Sequence, residues 1–258
     1  MQQFLFLAVS LLASVAGAIC GIGGGVIIKP VLDLFGLASV STISFLSGCT
    51  VLSMSAYSVG KGLISRDSAV DLKSGTYLAV GAAVGGVCGQ QLFALVRGLF
   101  ENQDTVGAVQ AACLFVITLG TLVYTIRKAN IRTIRVQGAA PGVLIGLALG
   151  VMSSFLGIGG GPINLVVLGY FFSMETKTAA QNSLYIILFS QITNLLTTIV
   201  AGNVPEFEVL TLVLMVAGGI GGGMVGRFFS RRMGNRAVGK LFIGVMVVIM
   251  GISVWDTR

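Results

Sequence analysis

The feature that most constrains the fold of this chain is a series of long apolar stretches separated by short polar gaps. Of its 258 residues, 55% are hydrophobic and only 10% are charged, whereas a soluble domain carries about 25% charged residues. About twenty apolar residues cross the hydrocarbon core of a bilayer as an α-helix. The sequence therefore predicts an all-α polytopic membrane protein with about eight transmembrane segments. The apolar stretches occupy residues 3–36, 38–60, 70–96, 105–126, 138–173, 178–200, 206–230 and 238–255.

Two of these stretches, 3–36 and 138–173, are too long for one crossing and contain the same glycine run. The sequence GIGGG occurs at Gly21–Gly25 and again 136 residues later, at Gly157–Gly161. A ladder of glycines then repeats at an offset of 137 residues. The ladder consists of Gly81, Gly85, Gly86 and Gly89 in the first half and Gly218, Gly222, Gly223 and Gly226 in the second. We infer two related halves, 1–126 and 138–258, joined by a basic linker at 127–137.

The distribution of charge predicts how the two halves are oriented in the membrane. Lysine and arginine concentrate in the gaps 60–73, 127–137 and 227–240, whereas the counterpart of the first gap carries Glu206 and Glu208. Equivalent loops of opposite charge are expected when the second half is inverted, because basic loops stay in the cytoplasm. All three basic gaps share one side only if 138–173, and by symmetry 3–36, enters the membrane and returns.

We therefore predict two inverted repeats in the inner or plasma membrane of the cell, with the first segment of each repeat broken at GIGGG. The basic gaps would be cytoplasmic, and both termini would lie outside.

Several function classes are excluded by the residues that the chain lacks. Histidine is absent, and no GxSxG or HExxH motif occurs, so we expect neither an enzyme nor a metal or cofactor site. The net charge of +7 follows the membrane topology and has no aromatic-rich basic stripe beside it, so a nucleic-acid partner is not expected. The expected partners are the lipid bilayer and a small solute, and the sequence leaves open whether copies associate into a homo-oligomer. The four cysteines lie inside apolar stretches without CxxC spacing, which favours a packing role. They are Cys20, Cys49, Cys88 and Cys113.

Discontinuous helices at matching positions of two inverted halves predict a transport site. The glycine runs can leave helical geometry at little steric cost, so that new helical pieces begin near Val26 and Pro162, inside the membrane. Proline suits a first helical position, where its missing N–H is not needed. Each helix start offers unpaired N–H groups and about half a positive charge, and two such ends would bind a small oxyanion. The predicted binding residues here are Gly23, Gly24, Gly25, Val26, Gly159, Gly160, Gly161 and Pro162. The alternative for these glycines is that they only let helices pack closely. Close packing is also our interpretation of the glycine ladder.

Polar side chains inside apolar stretches are further candidates. Ser47, Asn182 and Ser183 would either contact the substrate or form hydrogen bonds between helices. Lys29 lies inside an apolar stretch with Asp33 four residues later. Lys29 would either pair with Asp33 and extend towards the membrane surface or add positive charge to the anion path.

The two motif segments, CGIGGGVIIKP at 20–30 and LGIGGGPINLV at 156–166, resemble those of the TauE/SafE family of membrane permeases. The resemblance covers essentially the whole chain and implies export of sulfite or small organosulfonates. The first segment has Pro30, whereas the second has Val166 at that position and a proline at Pro162 instead. The two half-sites are therefore unequal.

The residues and the resemblance together predict a transporter that exports a small anion. Efflux of one negative charge from a cell with a negative interior is favoured by about 2.3 kcal/mol per 100 mV, so the export can be driven by the membrane potential. Two alternatives stay open. One is import of another sulfur oxyanion or small solute through the same scaffold, and the other is a membrane assembly subunit that transports nothing.

Overall fold

Ten α-helices and no β-strand make up the part of the chain that the computed structural model describes, which is residues 2–65, 69–99, 103–128, 131–156 and 160–256. The helices are α1 (Gln2–Cys20), α2 (Gly25–Leu34), α3 (Val40–Ile64), α4 (Leu72–Leu99), α5 (Gln103–Arg127), α6 (Ala139–Phe155), α7 (Pro162–Phe171), α8 (Thr176–Val200), α9 (Val209–Arg232) and α10 (Asn235–Asp256).

Five helices in this described part are long and apolar enough to cross a membrane. They are α1, α3, α8, α9 and the segment Asn235–Ile252 of α10. Shorter apolar helices cover Ala112–Arg127, α6 and α7. The predicted all-helical class, with several helices able to span a membrane, is confirmed for the described residues, while the number of about eight crossings stays a prediction.

Both overlong apolar stretches contain two helices each. Helix α1 ends at Cys20 and α2 begins at Gly25, while α6 ends at Phe155 and α7 begins at Pro162. Helices α2 and α7 have ten residues each and are therefore about 15 Å long, half of the hydrocarbon core.

Helix α2 runs back along α1. A Cβ on Gly24 would lie 3.2 Å from the carbonyl group of Ala13, and beyond the other end of α2 the side chain of Gln2 donates a hydrogen bond to the Leu37 carbonyl at 3.1 Å. The first stretch therefore enters the bundle and returns to the end where it began.

The glycine ladders bring α4 against α6 and α9 against α1. A Cβ on Gly85 of α4 would overlap the backbone of Leu147, and one on Gly222 of α9 would lie 2.5 Å from the Leu11 carbonyl oxygen. Only glycine permits helix axes to approach so closely. Each ladder therefore packs on the first helix of the other half, and α3 contacts α9 just as α4 contacts α8.

Hydrogen bonds define two opposite ends of the helix bundle. At one end, the Gln3 amide donates to the Glu208 carboxylate at 2.8 Å and the Thr42 hydroxyl donates to the Glu206 carbonyl at 3.0 Å. We call this the acidic end; it comprises the start of α1 and the α2–α3 and α8–α9 connections.

The opposite end, the basic end, comprises the described parts of the α3–α4 and α5–α6 connections, the α7–α8 connection and the α9–α10 connection. There the Ala69 N–H donates to the Gln181 side chain at 2.7 Å, and the Lys177 N–H donates to the Asn235 side chain at 3.1 Å. The Ile134 N–H donates to the Tyr170 carbonyl at 2.8 Å. These bonds hold the connections together at one end of the bundle.

Candidate functional site

The two helix breaks meet on one buried side chain, Ile187 of α8. A Cβ on Gly23 would lie 3.3 Å from Ile187 Cδ1, and a Cβ on Gly160 would overlap Ile187 Cγ1. Gly23 has a φ of +66° and Gly160 a φ of +113°, a backbone region that favours glycine. A Cβ on Gly23 would also lie 3.2 Å from Cγ1 of Val51 on α3, the residue that corresponds to Ile187 at an offset of 136.

The start of α2 leaves backbone donors unused inside the protein. The Gly24 carbonyl accepts the N–H groups of Ile27 and Ile28 at 3.0 and 2.9 Å, whereas the N–H groups of Gly25 and Val26 form no hydrogen bond within the described residues. Both residues are buried. The first N–H groups of a helix carry a partial positive charge, so this helix start directs positive potential into the bundle.

The start of α7 differs in detail. Pro162 occupies the first helical position and has no N–H, and the Asn164 N–H donates to the Gly161 carbonyl at 3.1 Å. Pro162 and Asn164 are both buried. Gly157–Gly159, including the predicted site residue Gly159, lie outside the described residues.

Three buried polar side chains line a small space beside Gly160: Ser153 of α6, Asn164 of α7 and Ser190 of α8. They are 3%, 1% and 2% exposed. Ser153 Oγ, Asn164 Oδ1 and Ser190 Oγ have no hydrogen-bond partner in the described part of the chain. The space between them is too small for a water molecule in this conformation. A buried polar group without a partner costs about 1–3 kcal/mol, so this polar cluster is expensive for a protein that does not use it.

No pattern in the sequence predicts the polar cluster. One indication is visible in the sequence, because Ser153 and Asn164 are polar residues within the apolar stretch 138–173. However, their convergence with Ser190 depends on the packing of α6, α7 and α8, which no spacing in the sequence reveals.

The structure separates the other predicted site residues. Ser183 borders the polar cluster and accepts a hydrogen bond from Asn164 Nδ2 at 3.3 Å. Asn182 points to the basic end, where its Nδ2 donates to the Ala69 and Thr178 carbonyls at 3.2 and 2.9 Å. Its Oδ1 accepts the Asp71 N–H at 3.0 Å. Asn182 therefore uses its amide to hold the 69–71 segment.

Ser47 and Lys29 lie in the first half. Ser47 is buried on α3, one residue from Leu46, which lines a cavity at the acidic end. Lys29 is half-buried on α2, and its ammonium group interacts electrostatically with the Asp33 carboxylate of the same helix. Neither side chain lies in the polar cluster.

The cavity at the acidic end has a volume of about 880 Å³. It is lined by Gln2, Gln3, Phe6, Leu37, Ala38, Ser39, Ser41, Thr42, Leu46, Pro205, Glu206, Phe207, Glu208 and Thr211. It forms a vestibule that reaches inwards along α3 as far as Leu46.

A charged group at the basic end is also partly buried. Lys128, just beyond α5, donates a hydrogen bond from Nζ to Thr176 Oγ1 at 3.4 Å. Burial lowers the pKa of Lys128, and the nearby Glu175 carboxylate partly opposes that shift. Glu175 in turn accepts a hydrogen bond from Asn235 Nδ2 at 2.7 Å.

Comparison with known proteins shows which family this architecture represents. The family described as sulfite exporter TauE/SafE matches residues 6–254. The chain belongs to this family. The resemblance to this family is thereby confirmed, and the protein is a membrane transporter of the TauE/SafE family.

A curated relative agrees with this assignment. The chain is 25% identical to a protein of Bacillus subtilis (strain 168) described as probable membrane transporter protein YunE, over 96% of both proteins. No solved structure matches the chain. Membership in a transporter family also argues against an enzyme.

Proposed function

We propose that this TauE/SafE protein exports a small anion, sulfite or a small organosulfonate, across the cell membrane. The observation that carries the proposal is the meeting of two helix breaks at Ile187 inside the bundle. An anion between α2 and α7 would face the positive ends of two helices without needing an arginine.

The arrangement of the connections supports two inverted repeats in the membrane. Inverted halves with broken first segments require that α1 and α2 return to the end where they began. They also require that the three basic gaps lie at one end of the bundle. The positive-inside rule then assigns the basic end to the cytoplasm. The vestibule at the acidic end would open to the outside.

Alternating access to the two sides of the membrane would depend on the side chain of Ile187, which lies between the two helix breaks. In the described conformation, its side chain occupies the space between Gly23, where a Cβ would lie 3.3 Å from Ile187 Cδ1, and Gly160, where a Cβ would overlap Ile187 Cγ1. An anion would pass when α2 and α7 shift relative to α3 and α8. Membrane potential would favour the outward step by about 2.3 kcal/mol per charge per 100 mV.

The test uses purified protein in liposomes that are loaded in turn with sulfite, sulfate, thiosulfate, a small sulfonate and a carboxylate. We expect selective efflux of a sulfur anion that accelerates when the exterior is made positive. No efflux of any sulfur anion, or efflux that requires an opposing proton gradient and ignores voltage, would overturn the proposal.

A matched pair of glycine variants provides the control. Gly160→Leu places a side chain against Ile187, whereas Gly244→Leu places one in open space on α10. Both variants should be purified as monodisperse protein before assay. We expect Gly160→Leu to abolish efflux and Gly244→Leu to retain it.

A further inference from the structure

We propose that the transported anion takes its side-chain hydrogen bonds from the second half alone, in the polar cluster formed by Ser153, Asn164 and Ser190 at the start of α7. This inference rests on the proposed transport function and deepens it. The ligand class is a compact oxyanion whose oxygen atoms accept hydrogen bonds from neutral donors.

The chemistry of the polar cluster suits such a ligand. Ser153 and Ser190 each bring a hydroxyl group without a partner within the described residues. Asn164 Nδ2 bonds to the hydroxyl of Ser183, and a hydroxyl can donate as well as accept. The Asn164 amide can therefore turn its NH₂ group to the ligand and keep its bond to Ser183. Three donors from three helices then converge beside the start of α7.

The first half has no equivalent set of donors. At an offset of 136 residues, the positions of Ser153, Asn164 and Ser190 are occupied by Gly17, Ile28 and Met54. Gly17 packs against the backbone of Gly24. Ile28 and Met54 are completely buried in apolar clusters. The start of α2 thus contributes its positive end, but no side-chain donor comes from these three positions.

The described conformation is the contracted form of this site. The space within the polar cluster has no room for a water molecule, and Ile187 and Gly160 both border it. Because Ile187 also contacts the first helix break, a ligand that displaces its side chain would act on both halves at once. One anion bound on one side is then sufficient to start the exchange between access states.

The experiment compares second-half variants with first-half variants at corresponding positions. The second-half variants are Ser153→Ala, Ser190→Ala and Asn164→Leu; the first-half controls are Ile28→Val and Met54→Leu. Sulfite efflux from liposomes gives KM and kcat for each. We expect each second-half variant to raise KM about ten- to hundredfold, as the loss of a hydrogen bond to a charged ligand should. The first-half controls should stay within about twofold.

A second measurement separates a binding role from a structural one. Removing an unpartnered buried hydroxyl should leave unchanged or raise the melting temperature of the empty protein. Sodium sulfite should raise the melting temperature of the wild-type protein and fail to do so in Ser153→Ala and Ser190→Ala. A lower melting temperature without ligand, together with an unchanged sulfite response, would assign the polar cluster a structural role.

The two readouts distinguish failure of this inference from failure of the proposed function. If sulfite stabilises the wild-type protein but not the second-half variants, and no liposome shows efflux, the binding site is supported and the proposed transport function is overturned. Wild-type efflux that the second-half variants leave unchanged, or that the first-half controls reduce equally, overturns the one-sided site and leaves transport intact.

Discussion

Two buried asparagines show how far residue type alone defines a role. Asn164 and Asn182 are both almost fully buried, and the sequence predicted for Asn182 either contact with the substrate or hydrogen bonds between helices. The structure shows Asn182 bonded through its whole amide to nearby backbone groups, while Asn164 Oδ1 and the hydroxyls of Ser153 and Ser190 have no hydrogen-bond partner among the described residues. The distinction could not be predicted, because the partners Ala69 and Asp71 lie more than a hundred residues away along the chain.

The bonds of Asn182 predict a structural phenotype for its removal. Asn182→Ala leaves the Ala69 carbonyl and the Asp71 N–H without their partner, so we expect the unfolding free energy to fall by about 1–3 kcal/mol. The melting temperature in detergent measures this loss. The KM for the transported anion should stay unchanged, and an increased KM without a lower melting temperature would contradict the structural role.

The buried position of Lys128 predicts a pH dependence. Because burial lowers the pKa of Lys128 in the folded protein, the folded protein releases this proton at a lower pH than the unfolded chain does. The unfolded chain then binds more protons, and stability rises with pH. We expect the wild-type protein to gain stability relative to Lys128→Met as the pH rises towards the ordinary lysine pKa of 10.5.

Melting temperatures of the two proteins across this pH range, measured in parallel, provide the test. The difference between the two melting temperatures removes the contribution of the other groups that titrate in both proteins. A difference that stays constant, or that moves against the wild-type protein as pH rises, would contradict the role of burial.

At the scale of helices, the repeated glycines predicted two breaks, because a run of three glycines weakens a helix by roughly 1 kcal/mol per residue. The structure has helix ends at Cys20 and Phe155 and new starts at Gly25 and Pro162. The sequence could not predict that both breaks contact Ile187, since that contact depends on how α8 passes between them.

The position of Ile187 predicts that its size controls passage. Ile187→Ala empties the space between Gly23 and Gly160, so we expect faster anion efflux and weaker selection against larger sulfonates. Leu184→Ala is the control, because Leu184 is also buried on α8 but packs in an apolar cluster that does not include Ile187. Both variants should lose about 2–5 kcal/mol of stability. Equal efflux rates in the two variants would show that Ile187 has no gating role.

Close helix approach makes a separate prediction at the crossing of α4 and α6. A Cβ on Gly146 would overlap the Leu78 carbonyl oxygen, whereas one on Gly244 meets open space. We expect Gly146→Ala to lower the melting temperature markedly, because the backbones must separate. Gly244→Ala should raise stability by up to about 1 kcal/mol, the difference in helix propensity. Similar effects of the two substitutions would contradict the close-packing interpretation.

At the scale of the whole molecule, the distribution of charge predicts that the three basic gaps share one side of the membrane. In the described part of the chain, the connections that contain residues of these gaps lie together at the basic end. Which end faces the cytoplasm remains a prediction from the positive-inside rule. Helix α3 offers a direct test, because Ser41 lies at its acidic end and Ser65 at its basic end, and both are exposed.

Single cysteines at these two positions report the orientation. In a background without the four native cysteines, we expect Ser41→Cys to react with a membrane-impermeant thiol reagent in intact cells. Ser65→Cys should react only after the membrane is permeabilised. The reverse pattern would invert the orientation, and with it the direction assigned to the vestibule.

The reciprocal packing of the glycine ladders has a consequence for biogenesis. The surface of α1 that faces α9 stays uncovered until almost the entire chain has left the ribosome, and α4 likewise waits for α6. Neither half can complete its own interior, so the nascent first half must be held in the lipid, or by the insertion machinery, until its counterpart arrives. A gene divided at the basic linker should therefore yield a functional protein only when both pieces are synthesised in the same cell.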